Sequence, residues 1–182
     1  SGGMATVYRC VDSMLGLDVA VKLLHHHLMV DNAEVVARFR READVMAHLS
    51  HPMPHPNVVA VRDVVSRPDQ MAIVMELVAG GFALDELLSQ SGPLTERRAI
   101  AVMSGVLSGM QTVHEHGVVH RDIKPSNLLL ARDENGALVP KVTDFGIAKW
   151  SGREDLPLDD GTLTQTKSMF GSPAYMAPEL FD

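Results

Sequence analysis

The richest run of chemically capable side chains in this sequence is His120-Arg121-Asp122-Ile123-Lys124-Pro125-Ser126-Asn127. Seventeen residues after Asn127 comes Asp144-Phe145-Gly146. Gly2-Gly3-Met4-Ala5-Thr6-Val7-Tyr8 and Val19-Ala20-Val21-Lys22 lie upstream, and Ala177-Pro178-Glu179 lies downstream. Glycines, lysines, carboxylates and an amide are types of group that phosphoryl transfer can use. Its transition state is loose and spreads charge over phosphate oxygens, so catalysis rests on positioning and electrostatic stabilisation.

These groups need elements to hold them. Ala5–Val11 and Asp18–Leu24 are valine-rich and flank a turn at Ser13–Gly16, which predicts two strands. A helix should follow, with Asp31 and Glu34 at capping-box spacing and Val36, Phe39, Ala43 and Met46 forming its apolar face. The prolines of His51-Pro52-Met53-Pro54-His55-Pro56 end it. Val58–Val65 and Met71–Val78 read as two more strands, and Gly80-Gly81 as a hinge between two lobes. Beyond it, Leu84–Leu88 is a short helix ending at Gly92-Pro93. Thr95 caps a longer helix with Ile100, Met103, Leu107 and Met110 as its buried stripe. Asn127–Ala131 and Leu138–Val142 read as a hairpin around Asn135-Gly136. Lys149 to Lys167 is a long polar loop, a form usually functional or disordered.

Composition narrows the class. The chain has 182 residues, 46% hydrophobic and 21% charged, which is ordinary globular usage. Its net charge of −7 argues against a general nucleic-acid surface. One cysteine excludes an intrachain disulfide and a cysteine zinc cage. No apolar run is long enough to cross a bilayer and no basic leader precedes one, so a reducing, cytoplasmic setting is expected. His25-His26-His27 suggests a metal site, but its place between a strand and a helix reads more simply as loop. Cys10 reads as a small apolar strand residue.

On these motifs the sequence resembles the Hanks-type serine/threonine protein kinases. Gly-Gly-Met-x-Thr-Val-Tyr and Asp-Phe-Gly-Ile-Ala-Lys are most similar to the bacterial branch. The resemblance runs from Gly2 to Glu179 and implies an α+β, bilobal protein-kinase fold. Residues 1–79 would form a small antiparallel-sheet lobe with one helix, and residues 80–182 a mainly helical lobe. It further implies ATP and Mg²⁺ as cofactors and protein serines and threonines as substrates. Asp122 would orient the substrate hydroxyl and accept its proton, and Lys124 would sit near the transferring phosphate. Asn127 and Asp144 would hold Mg²⁺, which suits few, hard oxygen ligands. Lys22 would contact the α- and β-phosphates, steadied by Glu42; Glu34 is the competing partner but belongs to the predicted cap.

The same resemblance places Gly2, Gly3 and Val7 in the loop over the phosphates. Aligned on Val7, Gly2 falls at the family's second glycine, Ala5 at its third, and the first lies before Ser1. Val7 and Ala20 above and Leu129 below would enclose adenine. Met75 resembles the gatekeeper, and backbone groups of Glu76 and Val78 would bond the adenine edge. Met46, His120 and Phe145 resemble members of the regulatory spine. Ser172 stands where the family usually has threonine, and its hydroxyl would bridge Asp122 and Lys124. Arg121 would receive a phosphate placed on Thr162, Thr164, Thr166 or Ser168, and a pair of kinases would phosphorylate one another there.

The chain is expected to be truncated at both ends. It would lack the first strand and stop just past the Ala-Pro-Glu motif, where relatives continue into further helices and bacterial ones often into a membrane anchor. An apolar face left uncovered would make the piece marginally stable. The competing class is a truncated or pseudokinase-like module that binds nucleotide or protein without catalysis. Lys22, Asp122, Asn127 and Asp144 favour catalysis, since pseudokinases usually lose one. The segment around His51–Pro56 is longer than the family norm and has no assigned purpose.

Overall fold

The alternation of valines with polar residues builds a twisted antiparallel sheet at the start of the chain. The computed structural model describes residues 4–145, 149–150, 172–176 and 178. Strands β1 (Ala5–Val11), β2 (Asp18–Leu24), β3 (Val61–Arg67) and β4 (Gln70–Glu76) lie in the order β1-β2-β4-β3. Register sets Ala20 opposite Met75 and Lys22 opposite Ile73, so Ala20 and Lys22 share one face of β2. Helices α1 (His26–Asp31) and α2 (Ala33–Leu49) connect β2 to β3.

The predicted cap of α2 is corrected. Asp31 is the last residue of α1, and the N-cap is Asn32, whose side chain accepts the Val35 N–H at 3.1 Å. The three histidines do not form a loop: His26 and His27 open α1. Val58 does not start β3 but bridges to Val142, and the strand begins at Val61. The next strand ends at Glu76 rather than Val78. Phe39, Ala43 and Met46 are buried, so the amphipathic reading of α2 holds.

Helices α3 (Leu84–Ser91) and α4 (Glu96–Glu115) follow a two-residue strand β5 (Phe82–Ala83). Strands β7 (Leu128–Arg132) and β8 (Leu138–Val142) form the expected hairpin, with Gly136 at φ +76° in its turn. Asn127 lies just before it, in a 3₁₀ turn (Pro125–Asn127). Thr95 is the N-cap of α4 by position but makes no side-chain cap bond. Lys149-Trp150 (β9) pairs in backbone with Val118-Val119 (β6), and residues 151–167 of the predicted polar loop lie outside the described residues.

The largest correction concerns α4. Of the predicted stripe, Ile100, Met103 and Leu107 face outward, at 60%, 45% and 64% exposure, and only Met110 packs, half-buried, against the core. The buried side is Val102, Val106, Gly109 and Val113. Both stripes have helical spacing, so periodicity could not choose between them. Close approach decides it. A Cβ on Gly109 would lie 2.7 Å from the Asn57 carbonyl oxygen, and one on Gly105 2.6 Å from the Pro140 ring. The glycines let this side of α4 press onto the 55–58 segment and β8. One continuous core results, from Phe39 and Met46 through Val58 and Val106 to Leu130 and Phe145.

Candidate active site

Lys22 projects from β2 and meets two acidic groups. Its Nζ lies 2.6 Å from Glu42 Oε1 on α2 and 2.8 Å from Asp144 Oδ1. Glu34 is not the partner; it pairs with Arg38 on the exposed side of the helix. Burial opposes a charge on Lys22, but Glu42 and Asp144 together hold its pKa above the ordinary value. Burial pushes the Glu42 carboxyl up, and Lys22 pulls it part of the way back. Glu42 Oε2 is buried with no hydrogen-bond partner among the described residues.

The second cluster surrounds Asp122. Lys124 Nζ lies 2.8 Å from Asp122 Oδ2 and donates to Ser172 Oγ at 2.9 Å. The Ser172 backbone N–H donates to Asp122 Oδ1 at 3.0 Å. So Ser172 does link Asp122 and Lys124, but it reaches Asp122 through its backbone rather than its hydroxyl. Asn127 Nδ2 donates to the Asp122 carbonyl and, at 3.2 Å, to Oδ2. Burial would raise the Asp122 pKa, but bonds from Lys124, Ser172 and Asn127 outweigh it and hold the carboxyl below its ordinary value.

His120 braces this cluster from below. Its Nε2–H donates to the Thr143 carbonyl at 3.0 Å, and Nδ1 accepts the Asp122 N–H at 3.3 Å. Those partners select the neutral tautomer, and burial lowers its pKa accordingly. Its ring lies 4.6 Å from that of Phe145, and Met46, His120 and Phe145 are each 1% exposed. Arg121 and Asp144 adopt positive φ, 68° and 61°, a costly conformation for residues with a Cβ. The strained turns aim consecutive side chains in different directions: Asp122 and Asp144 toward the two clusters, Arg121 into solvent.

The residues expected around adenine fall on three strands and the segment after β4. Val7 on β1 is exposed, Ala20 and Leu129 are half-buried, and Met75 is buried. Leu128 and Leu130 point into the core, so Leu129 takes the other face of β7. The Glu76 N–H is taken by the Ala60 carbonyl at 2.9 Å. The Val78 carbonyl accepts the Gly81 N–H, while the Val78 N–H has no partner among the described residues. Gly2, Gly3, Thr162, Thr164, Thr166 and Ser168 lie outside the described residues.

The donor set fits Mg²⁺. Asn127 spends its amide nitrogen on Asp122, which leaves Oδ1 as a hard acceptor. The Asp144 side chain, 47% exposed, uses one oxygen on Lys22. Two oxygen ligands with room for water and phosphate are what this ion takes.

Two participants escaped the sequence reading. Asn57 Nδ2 donates to the Pro140 carbonyl at 2.8 Å, and its backbone carbonyl accepts from Val142 at 2.9 Å, which ties the segment after α2 to β8. Lys141 on β8 lies 2.7 Å from Glu76 Oε1. His55-Pro56-Asn57 between two apolar runs was the only local signal for the first, and nothing local marked the second.

Comparison with known proteins identifies the family. A family model described as the protein kinase domain matches residues 1–182. The chain is 44% identical to a probable serine/threonine-protein kinase PknB of Lactococcus lactis, over 98% of this chain and 26% of that protein. It is 40% identical to the serine/threonine-protein kinase PrkC of Bacillus subtilis, over 98% of this chain and 25% of that protein. A serine/threonine-protein kinase of Myxococcus xanthus, pkn3, is also 40% identical, over 98% of this chain and 31% of that protein. The chain thus spans roughly a quarter to a third of the length of these curated relatives. With the domain match covering its whole length, the chain belongs to the protein kinase family.

Proposed function

We propose that this chain carries the catalytic centre of a serine/threonine protein kinase that moves the γ-phosphoryl group of ATP to protein hydroxyls. The observation that carries the reading is the closed set of Asp122, Lys124, Ser172 and Asn127 beside the Lys22–Glu42–Asp144 triad. Mg·ATP, when bound, supplies the phosphoryl group and a divalent charge against the phosphate oxygens. Asp122, kept ionised by its donors, orients the incoming serine or threonine hydroxyl and takes its proton. Lys124 stands within reach of the same carboxylate and offsets negative charge that develops on the phosphoryl oxygens. Lys22, fixed by Glu42, would hold the non-transferred phosphates, and Asn127 and Asp144 would hold the metal.

Arg121 is exposed beside this centre, and a phosphate on Thr162, Thr164, Thr166 or Ser168 would dock there. Residues 1–79 and 80–182 act as the two lobes, with nucleotide between them. The test is transfer of labelled phosphate from ATP to a serine/threonine protein substrate by the full-length protein. Asp122→Asn should lower the rate by about 10²–10⁴-fold while nucleotide binding persists. Undiminished transfer by that variant would sink the reading.

A further inference from the structure

A cleft of about 330 Å³ opens between the segment after α2 and the end of β4, lined by no residue of the Lys22 or Asp122 clusters. The proline-rich segment His51–Pro56, which the catalytic reading leaves without a purpose, forms one wall. Arg62 of β3, Glu76 of β4 and Lys141 of β8 line the other.

Its charged groups can be counted. Glu76 Oε1 is committed twice, to Lys141 at 2.7 Å and to the Ala60 N–H at 2.9 Å. Lys141 spends one of its three protons on that bond. Arg62 is exposed, and its guanidinium has no partner among the described residues. His51 donates from Nδ1 to the Ala47 carbonyl. His55 accepts the Asn57 N–H at Nδ1 and shares Nε2 with Ser108 Oγ at 3.3 Å. An Nδ1 that accepts carries no proton, and burial and Lys141 hold the His55 pKa below its ordinary value. Two cations against one carboxylate leave the cleft formally positive by one charge, on a chain whose net charge is −7. Ser50, the wall's hydroxyl, is satisfied within the protein, donating to the Met46 carbonyl and accepting from Val61. The unspent donors therefore sit on the two cations, Arg62 and Lys141.

We propose that this cleft binds a small phosphomonoester, and that binding is coupled to the nucleotide site through Glu76. The planar guanidinium of Arg62 matches two phosphate oxygens, and Lys141 adds a point charge. The volume lies at the small end of ligand pockets and suits a low-molecular-weight ester rather than a folded partner. A phosphate on the spare donors of Lys141 draws that charge toward itself and weakens its pull on Glu76. Glu76 begins the segment expected to bond adenine, so loosening its side chain changes how that segment is held. This coupling rests on the nucleotide site proposed above, whereas the cleft itself does not.

The experiment titrates glycerol 2-phosphate, inorganic phosphate and succinate by calorimetry into the full-length protein saturated with a non-hydrolysable ATP analogue and Mg²⁺. The nucleotide occupies any phosphate subsite at the Lys22 cluster. Expected is saturable binding of glycerol 2-phosphate, weakened at least tenfold in Arg62→Ala and in Arg62→Gln, both with unchanged unfolding midpoints. Comparable binding of inorganic phosphate would identify the phosphate group as the recognised part and support the assignment. Equal binding of succinate, or affinity untouched by either Arg62 variant, would overturn it. Titrating the nucleotide with and without glycerol 2-phosphate then reads the coupling, which must be reciprocal. Identical nucleotide affinities would overturn the link through Glu76. Absent nucleotide binding alongside an intact Arg62-dependent site would instead sink the catalytic reading.

Discussion

Lys22 Nζ sits 2.6 Å from Glu42 Oε1, and Glu42 itself is 1% exposed. The pair joins a strand to a helix 20 positions away in sequence. Removing Lys22 would strand an acidic group in an apolar setting. Lys22→Met should therefore cost about 3–5 kcal/mol of stability near neutral pH. The deficit should narrow as the pH falls and Glu42 takes up a proton. Chemical denaturation of both proteins at pH 7 and pH 5 checks this, and an equal deficit at both would show that Glu42 is not the stranded charge.

Asp144 offers its carboxylate to Lys22 and, on the proposed reading, to Mg²⁺. A ligand that binds only the folded state stabilises it by about 2.7 kcal/mol at a hundredfold excess over Kd. Mg·ATP should raise the unfolding temperature of the protein, and Asp144→Ala should lose the Mg²⁺-dependent part of that rise. Thermal unfolding with nucleotide, with and without the metal, makes the comparison.

His120 is buried as the neutral imidazole, so its folded pKa lies below its ordinary value of 6.5. Between those two values the unfolded chain binds more protons than the folded one. Its contribution is complete above about pH 6.5 and is lost as the pH falls from there toward the folded pKa. His55 acts in the same direction. Wild-type stability should decline from pH 7 to pH 5, and His120→Leu should show a shallower slope whatever its absolute stability. A slope unchanged by the substitution would assign the decline elsewhere.

Gly109 lets α4 approach the Asn57 carbonyl, where an added Cβ would lie at 2.7 Å from backbone oxygen. Backbone cannot yield as a flexible side chain can. Gly109→Ala should cost about 1–3 kcal/mol despite the better helix propensity of alanine. Ser104→Ala, on the exposed side of the same helix, should change stability by less than about 0.5 kcal/mol. Unfolding midpoints of the two variants decide it.

Ile100, Met103 and Leu107 present an apolar strip to solvent on α4. Leu107→Glu should reduce self-association of the 182-residue chain with little change in its unfolding midpoint. Light scattering against concentration measures the first quantity. Undiminished association would place the sticky surface elsewhere.

The identities of the polar groups gathered at the candidate site, and their order along the chain, were legible in the sequence, because the proposed metal and phosphate chemistry constrains side-chain type. The sequence also determined β1, β2, α2 and the β7–β8 hairpin, where valine alternation, a 3.6-residue period and Asn135-Gly136 are local signals. Asp31 and Asn32 show where local signals run out: both are good caps, and only the end of α1 selects Asn32. The side of α4 that is buried depended on two glycines meeting a segment and a strand from elsewhere in the chain. The Lys22–Asp144 contact spans 122 positions, Asn57–Pro140 spans 83 and Glu76–Lys141 spans 65. No pattern in a short window encodes such pairs. They form because a shared core brings distant strands together, and tertiary structure alone decided them.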